Sequence, residues 1–227
     1  DNLKKEIEEL QRVRACLFEE NEQLKSEKNG FEAFAVGGCV RDTLMGRVPN
    51  DWDITTSALP QQIKQVFPHT VDTGIAHGTV TVLIGQDAFE VTTYRIDGAY
   101  ADCRHPSSVT FTPSLQEDLR RRDFTVNAMA CSPRRGLVDI YGGREDISRR
   151  IIRCVGNAEE RFGEDALRIM RAVRFAAMLD FAIEEDTMRA GQALAGNLLH
   201  VSAERISAEL TKLLTSDHPE HIETARK

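Results

Sequence analysis

The spacing of apolar positions changes character twice along the 227 residues. In residues 1–29, leucine recurs every seventh position, at Leu3, Leu10, Leu17 and Leu24, with Ile7, Arg14 and Asn21 at the alternate seam positions. This is a heptad helix with polar residues in its seam. It either packs its stripe on the rest of the chain or pairs two copies. From Phe31 the texture becomes that of alternating strands and short helices. FEAFAV predicts a strand ending at Gly37 and Gly38, Val40 to Met45 a short helix, and WDITT a strand. Pro60 to Phe67 reads as a helix opened by proline near its first turn. TVTVLI and AFEVTTY are two β-rich runs joined by GQD, a hairpin signal. Arg95 to Val109 is polar and turn-rich and reads as a loop between strands. Beyond about residue 115 the pattern is mostly helical, with a hinge expected near Gly156. The expected organisation is an N-terminal helix at 1–29, a mixed α/β head at 30–155 and a helical segment at 156–227, without internal repeats.

Composition narrows the function classes. At 41% hydrophobic and 29% charged the chain can bury a core. It contains no run approaching the roughly 18 apolar residues of a membrane span, and no signal-peptide pattern. The five cysteines (Cys16, Cys39, Cys103, Cys131 and Cys154) are scattered, with no C-x-x-C pair. Reduced thiols, a cytoplasmic setting and no zinc site are expected. The net charge of −7, taken as a whole, argues against nucleic acid. Its distribution does not: Arg120 to Arg174 holds 13 arginines against 8 acidic residues, a local surplus of five that leaves the remainder at −12. Phosphate binding depends on the local field.

The chemistry concentrates first in GGCVRDTLMGRVPNDWDI, Gly37 to Ile54. If DWDI is a strand, Asp51 and Asp53 share one face while Trp52 and Ile54 turn to the core. Two adjacent carboxylates repel unless a cation lies between them. A hard divalent ion such as Mg²⁺ takes a few carboxylate oxygens together with substrate phosphates. The Gly37–Gly38 turn lets backbone approach a phosphate, and Arg41 adds a cation on the following helix. Glu90, alternating with Phe89 and Val91 in AFEVTTY, is a candidate third carboxylate, as a metal ligand or a hydrogen-bond partner on a neighbouring strand. Each feature alone also reads as ordinary surface structure.

GGCVRD followed by DWD resembles the first motif of the polymerase-β-like nucleotidyltransferases. RRDFTVNAMA (Arg121 to Ala130), DIYGGREDI (Asp139 to Ile147), EDALRIMRAVRFAAML (Glu164 to Leu179) and SAERISAEL (Ser202 to Leu210) resemble, in order, the four further motifs of the class II tRNA nucleotidyltransferases and bacterial poly(A) polymerases. The resemblance covers about residues 31 to 214. It implies an α+β fold, a polymerase-β-like head with a mixed sheet and flanking helices, followed by an all-helical neck. It also implies that Gly37, Gly38 and Arg41 hold the triphosphate and that Asp51 and Asp53 hold Mg²⁺ for two-metal transfer. Arg122 would contact the nucleotide, and Asp123 and Asn127, four apart, the ribose.

Asp165 and Arg168 are three apart and would neighbour each other on a helix. Cytosine and adenine both present an exocyclic amino donor beside a ring-nitrogen acceptor, which Asp and Arg can pair. Guanine and uracil present a carbonyl and an N–H and would leave buried groups unpaired. Arg171 and Arg174 continue the stripe at three-residue steps, and the resemblance implies that they are further nucleotide contacts.

DGAYADCRHP resembles the flexible loop of CCA-adding members, and EDALR their form of the fourth motif. The expected activity is therefore addition of C, C and A from CTP and ATP to the tRNA 3′ end. The alternatives are a poly(A) polymerase, a CC- or A-adding relative, or a fragment that binds nucleotide but acts poorly on tRNA. Set against the resemblance, the chain is expected to be a head-and-neck piece or a truncated variant, without the family's body and tail domains. The expected partners are the tRNA 3′ end, CTP and ATP, with no membrane and with homodimerisation through the N-terminal helix as one outcome of the heptads.

Overall fold

The computed structural model describes residues 30–98, 109–132 and 134–226. The N-terminal heptads, and the pairing expected of them, lie outside the described residues, as does most of the loop at 95–109. The described chain divides into two compact units, one drawing on residues 30–96, 109–119, 129–132 and 134–140, the other on residues 97–98, 120–128 and 141–226.

The first unit is built on a sheet of seven strands: β1 (Ala33–Val36), β2 (Asp53–Thr56), β3 (Thr70–Gly74), β4 (Thr79–Ile84), β5 (Asp87–Thr93), and two later strands, Met129–Ser132 and Gly136–Asp139. In space they run β3, β4, β5, β2, β1, then Met129–Ser132 and Gly136–Asp139. Neighbours are antiparallel except β2 and β5, which are parallel, so the sheet is mixed. Strand β1 sits near the centre and is buried at all four positions, which is why FEAFAV shows no polar alternation. Strand β4 keeps the period of two, with Val80 and Val82 in the core and the threonines between them less buried. Helix α1 (Gly38–Leu44) follows β1, and α2 (Pro60–Val66) opens on proline and buries Ile63. Buried threonines are satisfied within the unit: Thr56 donates to the Glu32 carbonyl at 2.6 Å and Thr93 to the Ala58 carbonyl at 2.7 Å.

Three expectations need correction. Helix predominates after residue 115, but the expectation left out Met129–Ser132 and Gly136–Asp139, which complete the sheet. Ala128, Met129 and Ala130 are consecutive apolar residues and wholly buried, so they carry no alternation to mark a strand. The ends of the segment read as a loop are strands β6 (Arg95–Asp97) and β7 (Val109–Phe111), which pair with each other. Strand β3 was not expected; it is a mostly exposed edge strand whose TVDTG carries little hydrophobic signal. In chain order the last two sheet strands are β8 (Met129–Ser132) and β9 (Gly136–Asp139), and α3 (Leu115–Arg120) precedes them.

The second unit contains α4 (Gly143–Arg149), α5 (Ala158–Glu164), α6 (Leu167–Leu179), α7 (Glu185–Leu194) and α8 (Ala203–Leu214). A two-residue parallel pair joins β10 (Ile151–Ile152) to β11 (Ala182–Ile183). Helix α6 is the centre. Leu167 packs with Ala166 and Val201, joined by Met170, Leu198 and Ile206, and Val173 and Ala177 pack with Leu213. Phe175 meets Phe124 edge to face with ring centroids 5.8 Å apart. Asn157 caps α5 by accepting from the Glu160 amide at 3.0 Å, and Glu184 caps α7 by accepting from Thr187 at 2.9 Å.

Among the described residues no helix is long and apolar enough to cross a membrane. Cys39, Cys131 and Cys154 are free thiols. Burial pushes Cys39 up to about 11 and Cys154 up to about 12, so both stay protonated at neutral pH.

Candidate active site

The residues singled out from sequence fall into two groups, one in each unit. In the first unit, Gly37 ends β1 and begins α1. Its φ of 80° and ψ of −130° lie where side-chain-bearing residues are strained. Its amide donates to the Met129 carbonyl at 3.2 Å and its carbonyl accepts from the Arg41 amide at 3.1 Å. Glycine here turns the chain sharply and brings backbone to the surface of the site. The Arg41 side chain is buried, and its guanidinium donates to both Asp42 carboxylate oxygens, at 2.9 and 3.0 Å. The charge is held by its sequence neighbour rather than projected alone. Cys39 reaches back to the Val36 carbonyl at 3.4 Å and the Asp53 carbonyl at 4.0 Å, tying α1 to the start of β2.

Asp53 is the first residue of β2 and Asp51 lies just ahead of the strand, so they are not two positions of one ladder as the pattern implied. Both are exposed, with Ile54 buried behind them. Glu90 lies opposite Asp53 in the parallel pairing of β2 with β5, and it too is exposed. The third carboxylate therefore stands on the neighbouring strand. Among the described residues no group of three His, Cys, Asp or Glu side chains is close enough to hold a metal. Asp51 and Asp53 would supply at most part of a coordination shell. Sequence reading overlooked the brace behind them: Asp118, fully buried, accepts from the Thr55 hydroxyl at 3.0 Å and from the Arg95 amide at 3.4 Å.

In the second unit part of the arginine segment forms a buried polar network around Asp123, Arg168 and Arg174, while Arg120, Arg144, Arg149 and Arg150 are exposed. Asp123 accepts from the Phe124 amide at 2.8 Å and from Asn127 Nδ2 at 3.2 Å. The Asp123–Asn127 contact is real but is made across a 3₁₀ turn, Thr125–Asn127, and not on an α-helix. Asp146 fastens that turn, accepting from the Thr125 hydroxyl and from Arg153 Nε at 2.9 Å. Arg171 Nε donates to Asp123 at 2.9 Å, and Arg174 donates to Glu209 of α8. Burial alone would raise the Asp123 carboxyl; the Arg171 guanidinium outweighs it and holds the group at about 2. Arg122 is half-buried in the same segment.

Asp165 and Arg168 are not successive positions of one helix. Asp165 stands at the break between α5 and α6, while Arg168 lies in the first turn of α6 and is buried. The two remain neighbours through backbone, since the Arg168 amide donates to the Asp165 carbonyl at 3.0 Å. The Arg168 guanidinium is held by the Glu164 carboxylate and by the carbonyls of Arg161 at 3.0 Å and Arg121 at 3.1 Å. Asp165 is held by Arg205 Nη2 at 2.9 Å. Arg205 and Glu209 were not singled out from sequence. Their spacing of four on a helix, in SAERISAEL, was the signal available.

A protein-family model described as the poly A polymerase head domain matches residues 33–153. A second, described as a probable RNA and SrmB-binding site of polymerase A, matches residues 180–227. The CCA-adding enzyme of Geobacillus kaustophilus is 54% identical over 192 residues, which is 85% of this chain and 47% of the relative. That of Leuconostoc mesenteroides is 52% identical over 190 residues, 84% of this chain and 47% of the relative. The chain thus spans about half the length of these relatives. Among solved structures, the Bacillus stearothermophilus CCA-adding enzyme in complex with CTP superposes with a TM-score of 0.82 at 48% identity, covering 90% of this chain and 49% of the other. The Thermotoga maritima CCA-adding enzyme complexed with tRNA gives 0.73 at 28% identity, covering 96% and 50%. With a mixed-sheet unit carrying paired carboxylates and a family model matched across more than half of its length, this chain belongs to the poly A polymerase head-domain family and is a relative of the CCA-adding enzymes.

Proposed function

We propose that this chain carries out template-independent nucleotidyl transfer in the cytoplasm, adding C, C and A from CTP and ATP to the 3′ end of tRNA. The observation that carries the reading is the pair of exposed carboxylates Asp51 and Asp53 at the head of β2, in a chain that shares half its residues with CCA-adding enzymes. Relatives studied with CTP and with tRNA supply the partners by analogy. We assign transfer to residues 30–155 and base selection chiefly to residues 156–227.

The donor set suits Mg²⁺. Asp51 and Asp53 are exposed, all-oxygen donors, and a cation that keeps waters and takes phosphate oxygens does not need a third protein ligand. Asp51 and Asp53 would hold the ion, which when bound would supply charge stabilisation at the α-phosphate and lower the pKa of the primer 3′-hydroxyl so that its proton can pass to solvent. The 3′ oxygen attacks the α-phosphorus and pyrophosphate leaves. Gly37 and Gly38 let backbone approach the triphosphate, and Arg41, held by Asp42, contributes positive charge beneath it. Glu90 adds a carboxylate beside Asp53.

For the base, Asp165 accepts from the exocyclic amino group of cytosine or adenine while Arg168 donates to the ring nitrogen. Arg122, Asp123 and Asn127 contact the sugar side of the nucleotide, and Arg171 and Arg174 support that surface through Asp123 and Glu209.

The test is incubation of a tRNA trimmed of its CCA end with labelled CTP and ATP. The expected product carries C, C and A, and Asp51→Ala abolishes incorporation while leaving stability within about 0.5 kcal/mol, since the residue is exposed. Incorporation of A alone overturns CCA addition. Runs of A would overturn CCA addition in favour of poly(A) synthesis.

A further inference from the structure

Base selection as proposed above depends on one carboxylate oxygen presenting itself in one direction, and the second unit contains a device for that outside the Asp165–Arg168 pair. We infer that Arg205 is a positioning residue for base choice, aiming the Asp165 carboxylate. This inference rests on the proposed roles of Asp165 and Arg168.

A carboxylate offers about four acceptor positions, two on each oxygen. At Asp165, Oδ1 accepts from the Leu167 amide at 3.1 Å and lies 3.4 Å from Arg205 Nη1, while Oδ2 accepts from Arg205 Nη2 at 2.9 Å. Both positions on Oδ1 are thus used, and one on Oδ2. One acceptor direction remains, on Oδ2. An acceptor without a proton at that position matches an exocyclic amino group and opposes the carbonyl of guanine or uracil. The end-on, two-point grip of a planar guanidinium, through Nη1 and Nη2, fixes the plane of the carboxylate as well as its place.

The grip is itself held. Arg205 and Glu209 are four apart on α8 and share a face, Glu209 being tied to Arg174 of α6. Ile206 packs against the cluster of Ala166, Leu167 and Val201, directly beside Asp165 in sequence and space. The register of α8 on α6 therefore sets where the guanidinium of Arg205 sits. The side chain of Arg205 is 25% exposed and that of Asp165 16%, so the pair is sheltered yet open on one side.

The experiment measures binding of CTP, ATP, GTP and UTP, and of inorganic tripolyphosphate as a base-free probe, to the 227-residue chain with Mg²⁺. Arg205→Met keeps the aliphatic stem, Arg205→Lys keeps the charge without the fork, and thermal melts establish that each variant is folded. The expected result is that Arg205→Met lowers the preference for CTP and ATP over GTP and UTP by about tenfold or more. Tripolyphosphate binding stays unchanged, and Arg205→Lys recovers part of the preference. If the wild-type chain shows no preference, the proposed base-selecting pair fails and the inference fails with it. If the wild type discriminates and Arg205→Met discriminates equally well, the inference alone is overturned. Uniform weakening of all four nucleotides and of tripolyphosphate also overturns it, since that would make Arg205 a phosphate or purely structural contact.

Discussion

Individual residues in this chain do their work through backbone freedom or through paired charge. Gly37 occupies a backbone region strained for any residue with a Cβ. Gly37→Ala is expected to cost about 1–3 kcal/mol. The measurement is the urea midpoint followed by fluorescence of Trp52, the sole tryptophan, which belongs to the same unit. An unchanged midpoint would show that the turn relaxes without penalty. Asp123 makes a pH prediction with a definite sign. Its folded value, held near 2 by Arg171 against the effect of burial, lies below the ordinary aspartate value of about 3.9. A depressed carboxyl stabilises the fold above the unfolded value, and that contribution disappears as pH falls through the folded one. The second unit should thus lose about 2 kcal/mol between roughly pH 4 and pH 2. Asp123→Asn should flatten that part of the stability profile. A slope unchanged in the variant would transfer the effect to other carboxylates.

At the scale of elements, the sheet and the helix pair are positioned by buried polar contacts that hydrophobic patterning does not reveal. Strand β2 is tied through Thr55 to Asp118, and the 3₁₀ turn before β8 through Thr125 to Asp146. Helix α8 is docked on α6 by Leu213 and Ile206, and by the buried ion pair of Glu209 with Arg174. Arg174 also lies 4.0 Å from the centroid of the Phe175 ring. Glu209→Ala leaves that arginine buried without its carboxylate, and should destabilise the second unit by about 3–5 kcal/mol. Amide exchange in α8 and α6 is the readout; protection that survives the substitution would mean that apolar packing alone docks the helix. Patterning did predict β1, β2, β4 and β5 and helices α1 and α2 to within a few residues. It missed β3, whose exposed TVDTG has a single apolar residue, Val71, and β8, whose near-continuous burial removes alternation.

At the scale of the whole molecule, a net acidic chain concentrates its arginines between residues 120 and 174 and then neutralises many of them internally. Arg168, Arg171 and Arg174 each have a carboxylate partner within the second unit. Glu164 and Asp123 already count among the eight acidic residues of that segment, so of these three partners only Glu209 lowers its surplus of five; the pairing fixes these arginines in place, which favours precise contacts over a diffuse field. The heptads of residues 1–29 pose a separate question about assembly. If they pair two copies, light scattering of the intact chain gives twice the chain mass of 25.4 kDa, and removal of residues 1–28 restores a monomer. A monomer before and after removal assigns the stripe to packing within one chain.

Chemistry-bearing residue types and their order were readable along the chain because they are local: a glycine turn before a short helix, carboxylates two apart, arginines at helical spacing. The sequence by itself determined the family, the mixed α/β character of the head and the carboxylates at Asp51 and Asp53. Only the tertiary structure decided what each charge faces. It set Glu90 opposite Asp53, through a parallel pairing between strands more than thirty residues apart. It also set Arg205 on Asp165, forty residues apart, and Asp118 behind Thr55, sixty-three apart. The physical reason is that register and helix docking are settled by summed burial over whole faces. A side chain's partner across such a face follows from that sum and from no spacing along the chain.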